Sequence, residues 1–221
     1  MGRRSRVLGP VSATGVFATQ RQQDTIRGGR RSAHRNFLDV FARSSSSLGP
    51  AWRDEVLTFG ANGSSAYYAG SPVSKFGSTT IDLGTSDMAV EWDLSNWPKG
   101  PVENFFRFVD IDNNWSVSGT SAPGSGGTMY LFRRVAGSLT IVATATGRTW
   151  GAGYRLRVEA IGDSITVKVD GTTVAALTTS SSTFNTATRA GFGGDAGIVT
   201  GDELDSARWT RFFAEPLRST T

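Results

Sequence analysis

Two carboxylates, Glu91 and Asp93, stand two residues apart within the segment Met88–Leu94. Apolar and polar residues alternate there, which predicts a strand with one buried face. Alternate residues of a strand point to the same side, so both carboxylates are expected on one face. A retaining glycosidase needs two carboxyls about 5–5.5 Å apart, one as nucleophile and one as general acid. The alternative, which we favour, is a pair of polar residues on an exposed or concave face.

A second group of oxygen donors lies in Asp110-Ile111-Asp112-Asn113-Asn114. Such oxygens are the ligands that Ca²⁺ prefers, so Asp110, Asp112 and Asn114 are candidate calcium ligands. The glycine and the bidentate glutamate of an EF-hand are missing. The alternative is a hairpin turn whose Asx side chains cap their own backbone. The acidic segment 201–205 has the same two interpretations.

Tryptophans and mid-strand arginines are the remaining candidates for ligand contacts. Trp92 and Trp209 lie in alternating segments and are predicted to be core residues. Three other tryptophans lie beside turns, where each either stacks on a sugar ring or packs under a loop. A mid-strand arginine needs a partner or solvent, and we hypothesise that two of them share a concave polar groove with the carboxylates described above. The candidate ligand-binding residues are Glu91, Asp93, Trp97, Arg107, Trp115, Arg133 and Trp150.

Composition excludes several classes of site. The absence of cysteine removes disulfides, thiolate chemistry and cysteine-based zinc sites. The single histidine, His34, argues against a Ser-His-Asp triad and against a multi-histidine metal site. The glycine-rich segment 124–127 lacks the lysine and the helix of a phosphate-binding loop. No segment has the roughly 18 uninterrupted apolar residues of a membrane span, and no cofactor other than calcium is expected.

The positive charge is concentrated in residues 1–36, which we predict to be an extended arm. This stretch holds eight arginines against one acid, Asp24, so it carries +7, and the other residues carry −3 of the net charge of +4. It is too polar to bury a core of its own. It is either an anchor that threads into a larger assembly or a solvated tail. Arginines without aromatic residues interleaved among them predict only nonspecific affinity for nucleic acid. The arginines are Arg3, Arg4, Arg6, Arg21, Arg27, Arg30, Arg31 and Arg35.

The rest of the chain predicts an all-β fold. Tyr154–Thr178 has three alternating segments joined by Gly162-Asp163 and Asp170-Gly171, which predicts an antiparallel meander whose Asp-Gly turn is of type I′. About a dozen short strands without a covering helix favour two stacked antiparallel sheets. The domain is predicted to span residues 37–214, followed by a tail at 215–221. The other predicted strands are Val56–Phe59, Ser65–Ala69, Ser78–Leu83, Met88–Leu94, Asn104–Asp110, Trp115–Ser118, Met129–Val135, Ser138–Ala145, Ala187–Phe192 and Ser206–Phe213.

A set of short motifs in a fixed order carries a family resemblance. The motifs are Phe37–Arg43, Leu48-Gly49 with Trp52, Phe106–Asp110, Asp112–Trp115, Arg133–Gly137, Tyr154–Val158, Val169–Gly171, Ala190–Gly193, and Leu204-Asp205 with Trp209. Over residues 37–214 the chain resembles the concanavalin A-like, laminin G-like jelly rolls at the ends of tail proteins of phages that infect actinobacteria. The low count of lysines, three against twenty arginines, agrees with such a source.

The resemblance implies a two-sheet jelly-roll sandwich on a virion that contacts host-surface glycans. Glycosidases with a related sandwich carry a Glu-x-Asp-x-x-Glu strand. The matching segment here ends in Asn96, whose amide cannot protonate a leaving oxygen. The resemblance therefore does not imply catalysis.

We predict a non-enzymatic virion structural protein of the minor tail or tail-tip type, anchored by its basic arm and presenting a lectin-like domain. The expected partners are other virion proteins, further copies of this chain and host cell-wall glycan. The expected location is the virion, after synthesis in the host cytoplasm without a signal peptide, because Gly9 and Pro10 interrupt the apolar stretch near the N-terminus. The alternatives are a soluble carbohydrate-binding module, a degenerate glycosidase and a capsid decoration protein.

Overall fold

The computed structural model describes residues 36–68, 76–96, 102–120, 127–148, 153–195 and 208–217. Within these ranges the regular structure is β-strand apart from one 3₁₀ turn, Ala175–Leu177, and no helix is long and apolar enough to cross a membrane. The strands are β1 (Phe37–Asp39), β2 (Ser44–Ser45), β3 (Arg53–Val56), β4 (Phe59–Asn62), β5 (Ala66–Tyr68), β6 (Phe76–Asp82), β7 (Met88–Asn96), β8 (Val102–Asp110), β9 (Asn113–Thr120), β10 (Gly127–Val135), β11 (Ser138–Arg148), β12 (Arg155–Ile161), β13 (Ser164–Val169), β14 (Thr172–Thr173), β15 (Thr179–Ser180), β16 (Arg189–Asp195) and β17 (Arg208–Pro216). The arginines of the predicted arm lie outside the described residues.

These strands form two antiparallel sheets. Sheet A has the order β14-β13-β12-β7-β17-β5-β4-β2, with β1 paired to β17 and β15 paired to β13. Sheet B has the order β11-β10-β9-β8-β16-β6-β3. The chain crosses between the sheets repeatedly, for example from β6 to β7 and from β16 to β17. The result is a two-sheet antiparallel jelly-roll sandwich, which confirms the predicted fold class.

The hydrophobic core lies between the two sheets. Within Met88–Leu94 the four alternate apolar residues are at most 4% exposed, as their spacing predicts. Phe192 of sheet B stacks on Trp209 of sheet A, with ring centroids 4.3 Å apart. Large aromatic residues bury the most apolar area per side chain, so they contribute heavily to the stability of such a core.

Two indoles bond across the sandwich. Trp92 of β7 donates its Nε1 proton to the carbonyl of Gly191 on β16 at 2.9 Å, and Trp209 donates to Oδ1 of Asn104 on β8 at 3.1 Å. A shift of one sheet against the other would break these bonds, and each buried N–H left without a partner would destabilise the fold by about 1–3 kcal/mol. The two bonds therefore help to fix how the sheets align. Gly191 must be glycine, because a Cβ there would lie 2.0 Å from the carbonyl oxygen of Thr79.

The predicted meander is present, with one difference. Strands β12 and β13 pair as expected, and Asp170 and Gly171 both have positive φ, 48° and 78°, as a type I′ turn requires. The third predicted strand stops after two residues in β14, and Ala175–Leu177 then forms a 3₁₀ turn. Leu177 is fully buried, so the chain turns inward to close the sandwich instead of continuing along the sheet.

Two strand boundaries also differ from the sequence prediction. The segment Val56–Phe59 is not one strand, because β3 ends at Val56 in sheet B and β4 begins at Phe59 in sheet A. Leu57 between them has a φ of 60°, which breaks the extended backbone. At the other end β17 runs past the predicted end of the domain to Pro216, and Glu215 pairs with Ala89 of β7.

Candidate functional site

Glu91 and Asp93 lie on the outward face of β7, separated by the buried Trp92. The neighbouring strands β12 and β17 place arginines opposite them. Arg155 holds Asp93 through two parallel hydrogen bonds of 2.8 and 2.9 Å, and Arg211 donates to Oε2 of Glu91 at 2.8 Å. Both predicted carboxylates are therefore ion-paired.

Arg157 of β12 contacts three carboxylates at once. It donates to Glu91 at 2.8 Å, to Glu215 at 2.7 Å and to Glu159 at 2.8 Å. Lys168 of β13 binds the other oxygen of Glu159 at 2.8 Å. The residues that share these contacts, four acids and four bases, are named the charged cluster: Glu91, Asp93, Arg155, Arg157, Glu159, Lys168, Arg211 and Glu215.

The electrostatics of the charged cluster favour ionised side chains. Partial burial alone would raise the pKa of Glu91, but hydrogen bonds from Arg211 and Arg157, with their charges, outweigh it, and the pKa lies below its ordinary value. A general acid must hold its proton near neutral pH, which requires a shift in the opposite direction. Glu91 is suited to ion pairing and not to protonating a leaving group.

The charged cluster borders an open depression of about 990 Å³ whose lining includes Glu91 and Asp93. The sequence predicts that these carboxylates share a polar groove with Arg107 and Arg133, but neither arginine is among the residues that line the depression. Its positive charge comes from Arg155 and Arg157 of β12. The two arginines expected in the groove lie instead on sheet B, Arg107 in β8 and Arg133 in β10.

Arg107 is fully buried, at an irregularity in the pairing of β8 where its φ is 47°. Its guanidinium donates to the carbonyls of Ser86 and Gly162 and lies 3.9 Å from Asp87. Burial lowers the pKa of Arg107, although Asp87 and Asp163 act against the shift. The residue therefore ties β8 to the β6–β7 connection and to the β12–β13 turn, which is a structural role.

Trp115 is also fully buried, so of its two interpretations the structure favours packing under a loop and not stacking on a sugar ring. It donates its Nε1 proton to the carbonyl of Thr183 at 2.9 Å, and the guanidinium of Arg133 lies 5.8 Å from its ring centroid. Arg133 thus covers a core tryptophan and does not approach Glu91 or Asp93. Trp97 and Trp150 lie outside the described residues.

The oxygen donors of Asp110–Asn114 are used within the turn between β8 and β9. Asp110 accepts hydrogen bonds from the backbone N–H of Asp112 and from the side-chain amide of Asn113, both at 2.9 Å. Asn114 donates to the carbonyls of Asp110 and Ile111 at 3.0 Å. In the described part of the chain no group of three or more His, Asp or Glu could hold a metal ion. These contacts are those of the turn interpretation, and the segment 201–205 lies outside the described residues.

A pair of stacked rings on the outward face of sheet B is not among the site residues predicted from the sequence. Tyr130 and Phe132 alternate along β10 with the fully buried Met129 and Leu131. Their rings are 5.4 Å apart between centroids, with 23° between the ring planes, and both side chains are partly exposed. The pair therefore presents an aromatic surface to solvent.

The next strand extends this surface. Ile141 lies opposite Phe132, and Leu139 lies opposite Arg134, in the register of β11 with β10. Ile141 is 56% exposed and Leu139 is 46% exposed, so both add apolar surface beside the two rings. The four residues Tyr130, Phe132, Leu139 and Ile141 are named the aromatic patch.

A buried carboxylate lies at the inner border of the aromatic patch. Arg134 of β10 reaches across β9 to Glu103 of β8 at 3.1 Å, and Ser116 of β9 donates to the other oxygen of Glu103 at 2.8 Å. Burial raises the pKa of Glu103, and the bonds from Ser116 and Arg134 offset this only in part. Nε of Arg134 is buried without a partner.

One signal in the sequence could have found the aromatic patch. The run Met129–Phe132 is apolar at every position, whereas a strand with one solvent-facing side alternates. Such a strand needs cover or a ligand on its second face. Glu103 gave no comparable signal, because its partners belong to strands whose pairing is not visible in the sequence.

No protein-family model matches the sequence, and no curated protein matches it significantly. Solved structures do share the fold. The GH43 protein BlXynB of Bacillus licheniformis has a TM-score of 0.57 at 11% identity, and the match covers 85% of this chain and 40% of that chain. This chain thus spans less than half the length of that protein.

Two further structures match over most of their own length. The Crh5 transglycosylase has a TM-score of 0.53 at 14% identity, covering 83% of this chain and 85% of that chain. The CBM2 module of the evolved Dit of Lactobacillus casei BL23 phage J-1 has a TM-score of 0.52 at 12% identity, covering 81% of this chain and 94% of that chain. At these identities the likeness establishes a common β-sandwich fold and nothing finer.

Proposed function

We propose that this chain is a non-enzymatic structural protein of a phage particle whose sandwich domain binds carbohydrate on the outward face of sheet B. The observation that carries the proposal is the aromatic patch. The C–H faces of a pyranose ring are apolar, so a sugar stacks on an exposed aromatic ring and removes apolar area from water. An exposed apolar surface with polar groups at its border is typical of a ligand site, and Arg134 and Glu103 supply such a border.

The contacts of the carboxylates support binding without cleavage. A retaining glycosidase uses one carboxylate as nucleophile and one carboxylic acid as proton donor. In the charged cluster Asp93 is held by both nitrogens of one arginine, and the pKa of Glu91 is lowered. Neither side chain is arranged to give a proton to a glycosidic oxygen.

The place of the protein on a phage particle is supported by the family resemblance of its motifs. One structural neighbour, the CBM2 module of phage J-1 Dit, is a module of a phage protein. We infer that the basic arm anchors this chain to other virion proteins, that copies of the chain assemble with one another there, and that the domain contacts host cell-wall glycan. Its location would be the virion, after synthesis in the host cytoplasm.

The glycan site is tested by an array of neutral oligosaccharides probed with the whole chain and its variants. Phe132→Ala and Tyr130→Ala are each expected to weaken binding about fivefold or more, because sites that stack a base on an aromatic ring lose about 1–3 kcal/mol per ring. Phe213→Ala is the matched control, since Phe213 is a partly buried ring on sheet A. Binding that survives removal of both rings of the aromatic patch would disprove the proposed site.

The anchoring role is tested by assembling particles with the whole chain and with a chain that lacks residues 1–36. The first strand begins at Phe37, so the deletion leaves every described strand intact. The whole chain is expected to copurify with particles, and the shortened chain is expected to stay in the soluble fraction while keeping its glycan binding. If the shortened chain is incorporated equally, the arm is not the anchor, and a soluble carbohydrate-binding module or a capsid decoration protein becomes the better hypothesis.

The glycosidase alternative is tested by measuring sugar release from the polysaccharides that the array identifies. Equal and negligible release by the wild type and Glu91→Gln is the expected result. Release by the wild type that the substitution abolishes would identify an enzyme acting in the depression beside the charged cluster.

A further inference from the structure

We propose that Glu103 sets the charge preference of the glycan site, because its pairing with Arg134 keeps the border of the aromatic patch neutral and so favours uncharged sugars over uronates. This inference rests on the proposed function. It assigns to Glu103 a role in specificity that is separate from stacking on the rings.

The position of Arg134 makes it the cation that a bound sugar would meet. Arg134 follows Phe132 by two residues on the same face of β10, and such residues lie about 7 Å apart along a strand. A pyranose stacked on Phe132 therefore places a ring substituent within reach of the guanidinium. In the register of the sheet, Ser116 of β9 lies opposite Phe132. Ser116 is fully buried and its hydroxyl donates to Glu103, so it offers no charge to a bound sugar.

Glu103 already neutralises that cation. Its carboxylate lies 3.1 Å from Nη2 of Arg134, and its side chain is only 7% exposed, against 24% for Arg134. Ser116 fixes the second carboxylate oxygen at 2.8 Å, so the carboxylate is held in place. Interactions between charges are stronger in such a partly buried position than in water.

The pair therefore treats neutral and acidic sugars differently. A sugar hydroxyl can donate to a carboxylate or accept from a guanidinium without any change in charge. A uronate would have to share Arg134 with Glu103 and would place two like charges together in a poorly solvated position. Repulsion of this kind is how a site rejects a ligand that its attractive contacts would otherwise accept.

Glu103→Gln removes the negative charge and keeps the shape of the side chain. Arg134 then becomes an uncompensated cation beside the rings, and a charge-assisted hydrogen bond to a uronate becomes available. We expect the affinity for uronates, taken relative to the affinity for neutral sugars on the same array, to rise about tenfold or more. The double variant Glu103→Gln/Arg134→Gln has no cation at this position and is expected to lose the gain.

The experiment compares cello-, xylo-, manno- and chitohexaose with hexamers of galacturonate, alginate and hyaluronan on one array. It is run at pH 8, because burial raises the pKa of Glu103 and the pairing requires the ionised carboxylate. The wild type, Glu103→Gln, Arg134→Gln, the double variant and Phe132→Ala are measured together, with thermal melting to establish that each is folded. Arg134→Gln keeps the buried carboxylate and is expected to bind uronates no better than the wild type.

The outcomes separate the two proposals. A rise in uronate affinity in Glu103→Gln that the double variant reverses supports the inference. The wild type can bind neutral sugars through Phe132 while the ratio of uronate to neutral binding is unchanged in Glu103→Gln; the inference is then wrong and the proposed function stands. The same conclusion follows if the wild type already prefers uronates. If the wild type binds none of these sugars, both fail.

Discussion

The outward faces of the two sheets differ in how far their side chains satisfy one another. On sheet A the charged cluster combines four acids with four bases in contacts mostly between 2.7 and 2.9 Å. On sheet B the aromatic patch leaves large apolar side chains partly or largely exposed. The charged side chains of the first face pair with one another, whereas among the described residues the second face leaves apolar area in contact with solvent, as a ligand or partner site does.

Both faces result from the same property of β-strands. Strand alternation sends every second residue outward, and the outward residues are acids and bases along β7 and β12 but rings along β10. Charges on neighbouring strands are close enough to pair with one another. Two neighbouring rings can stack, but their outer surfaces stay in contact with solvent. Whether the outward side chains of a face satisfy one another thus depends on which residue types lie opposite one another on neighbouring strands.

The two faces belong to one sandwich with a single core in the described residues, and Gly191→Ala is the most severe test of this. The added Cβ would lie 2.0 Å from a backbone oxygen of β6, next to the carbonyl that binds Trp92. We expect a loss of about 3–5 kcal/mol in the free energy of unfolding, measured in denaturant, with both faces lost in one transition. Gly77→Ala is the control, because the nearest contact of its Cβ would be a side-chain carbon, a ring carbon of Phe59 at 3.2 Å. Similar losses in both variants would contradict this account.

Arg157→Met tests whether the charged cluster stabilises the fold. The substitution leaves Glu91, Glu159 and Glu215 with fewer partners, and Glu215 with none among its described ion pairs. We expect a loss of about 2–3 kcal/mol in the free energy of unfolding and unchanged glycan binding. Lys168→Met removes one peripheral contact and is expected to cost less than about 1 kcal/mol. A loss of glycan binding in Arg157→Met would place the ligand on sheet A.

Two carboxylates, one on each face, are expected to respond to pH with opposite signs. The pKa of Glu91 lies below its ordinary value of 4.5 in the folded chain. Its ionised form therefore stabilises the fold above pH 4.5, and this contribution is lost as the pH falls through the folded-state pKa. The stability difference between the wild type and Glu91→Gln, about 1–2 kcal/mol at pH 7, should shrink in that window.

Glu103 supplies the opposite case. Its pKa is raised above 4.5 in the folded chain, so the wild type loses stability relative to Glu103→Gln as the pH rises from 4.5 through the folded-state pKa. Denaturant unfolding of the three proteins between pH 3 and pH 8 measures both trends. If the stability difference from the wild type changes with pH in the same direction for both substitutions, this account is wrong. Glu91 would then not be stabilised by its ion pairs, or Glu103 would not be destabilised by burial.

The smallest effect is expected at the exposed end of the charged cluster. Arg155 is 49% exposed, so solvent screens its double hydrogen bond to Asp93, and Arg155→Gln should cost about 0.5 kcal/mol or less. The same substitution tested in 1 M salt should cost less still, since salt screens surface charges. If Arg155→Gln lowers the free energy of unfolding as much as Arg157→Met does, the exposed members of the charged cluster contribute to stability as much as its centre does.

The sequence by itself determined the fold class and much of the local structure. Alternation of period two predicted the buried residues of β7, and Asp170-Gly171 predicted a turn with two positive φ angles, because both signals depend on residues next to one another in the chain. It also placed Glu91 and Asp93 on one face.

Only the tertiary structure decided what those residues contact. Arg157 meets Glu91 from 66 residues away, and Arg134 meets Glu103 from 31 residues away. A period of two identifies the face of a strand but not the neighbouring strand or its register, so these partners could not be derived from the sequence. An irregularity in strand pairing buried Arg107, and packing between the sheets buried Trp115. Strand pairing is a long-range property of the chain, and for that reason the contacts between strands on the two faces became visible only in the assembled sandwich.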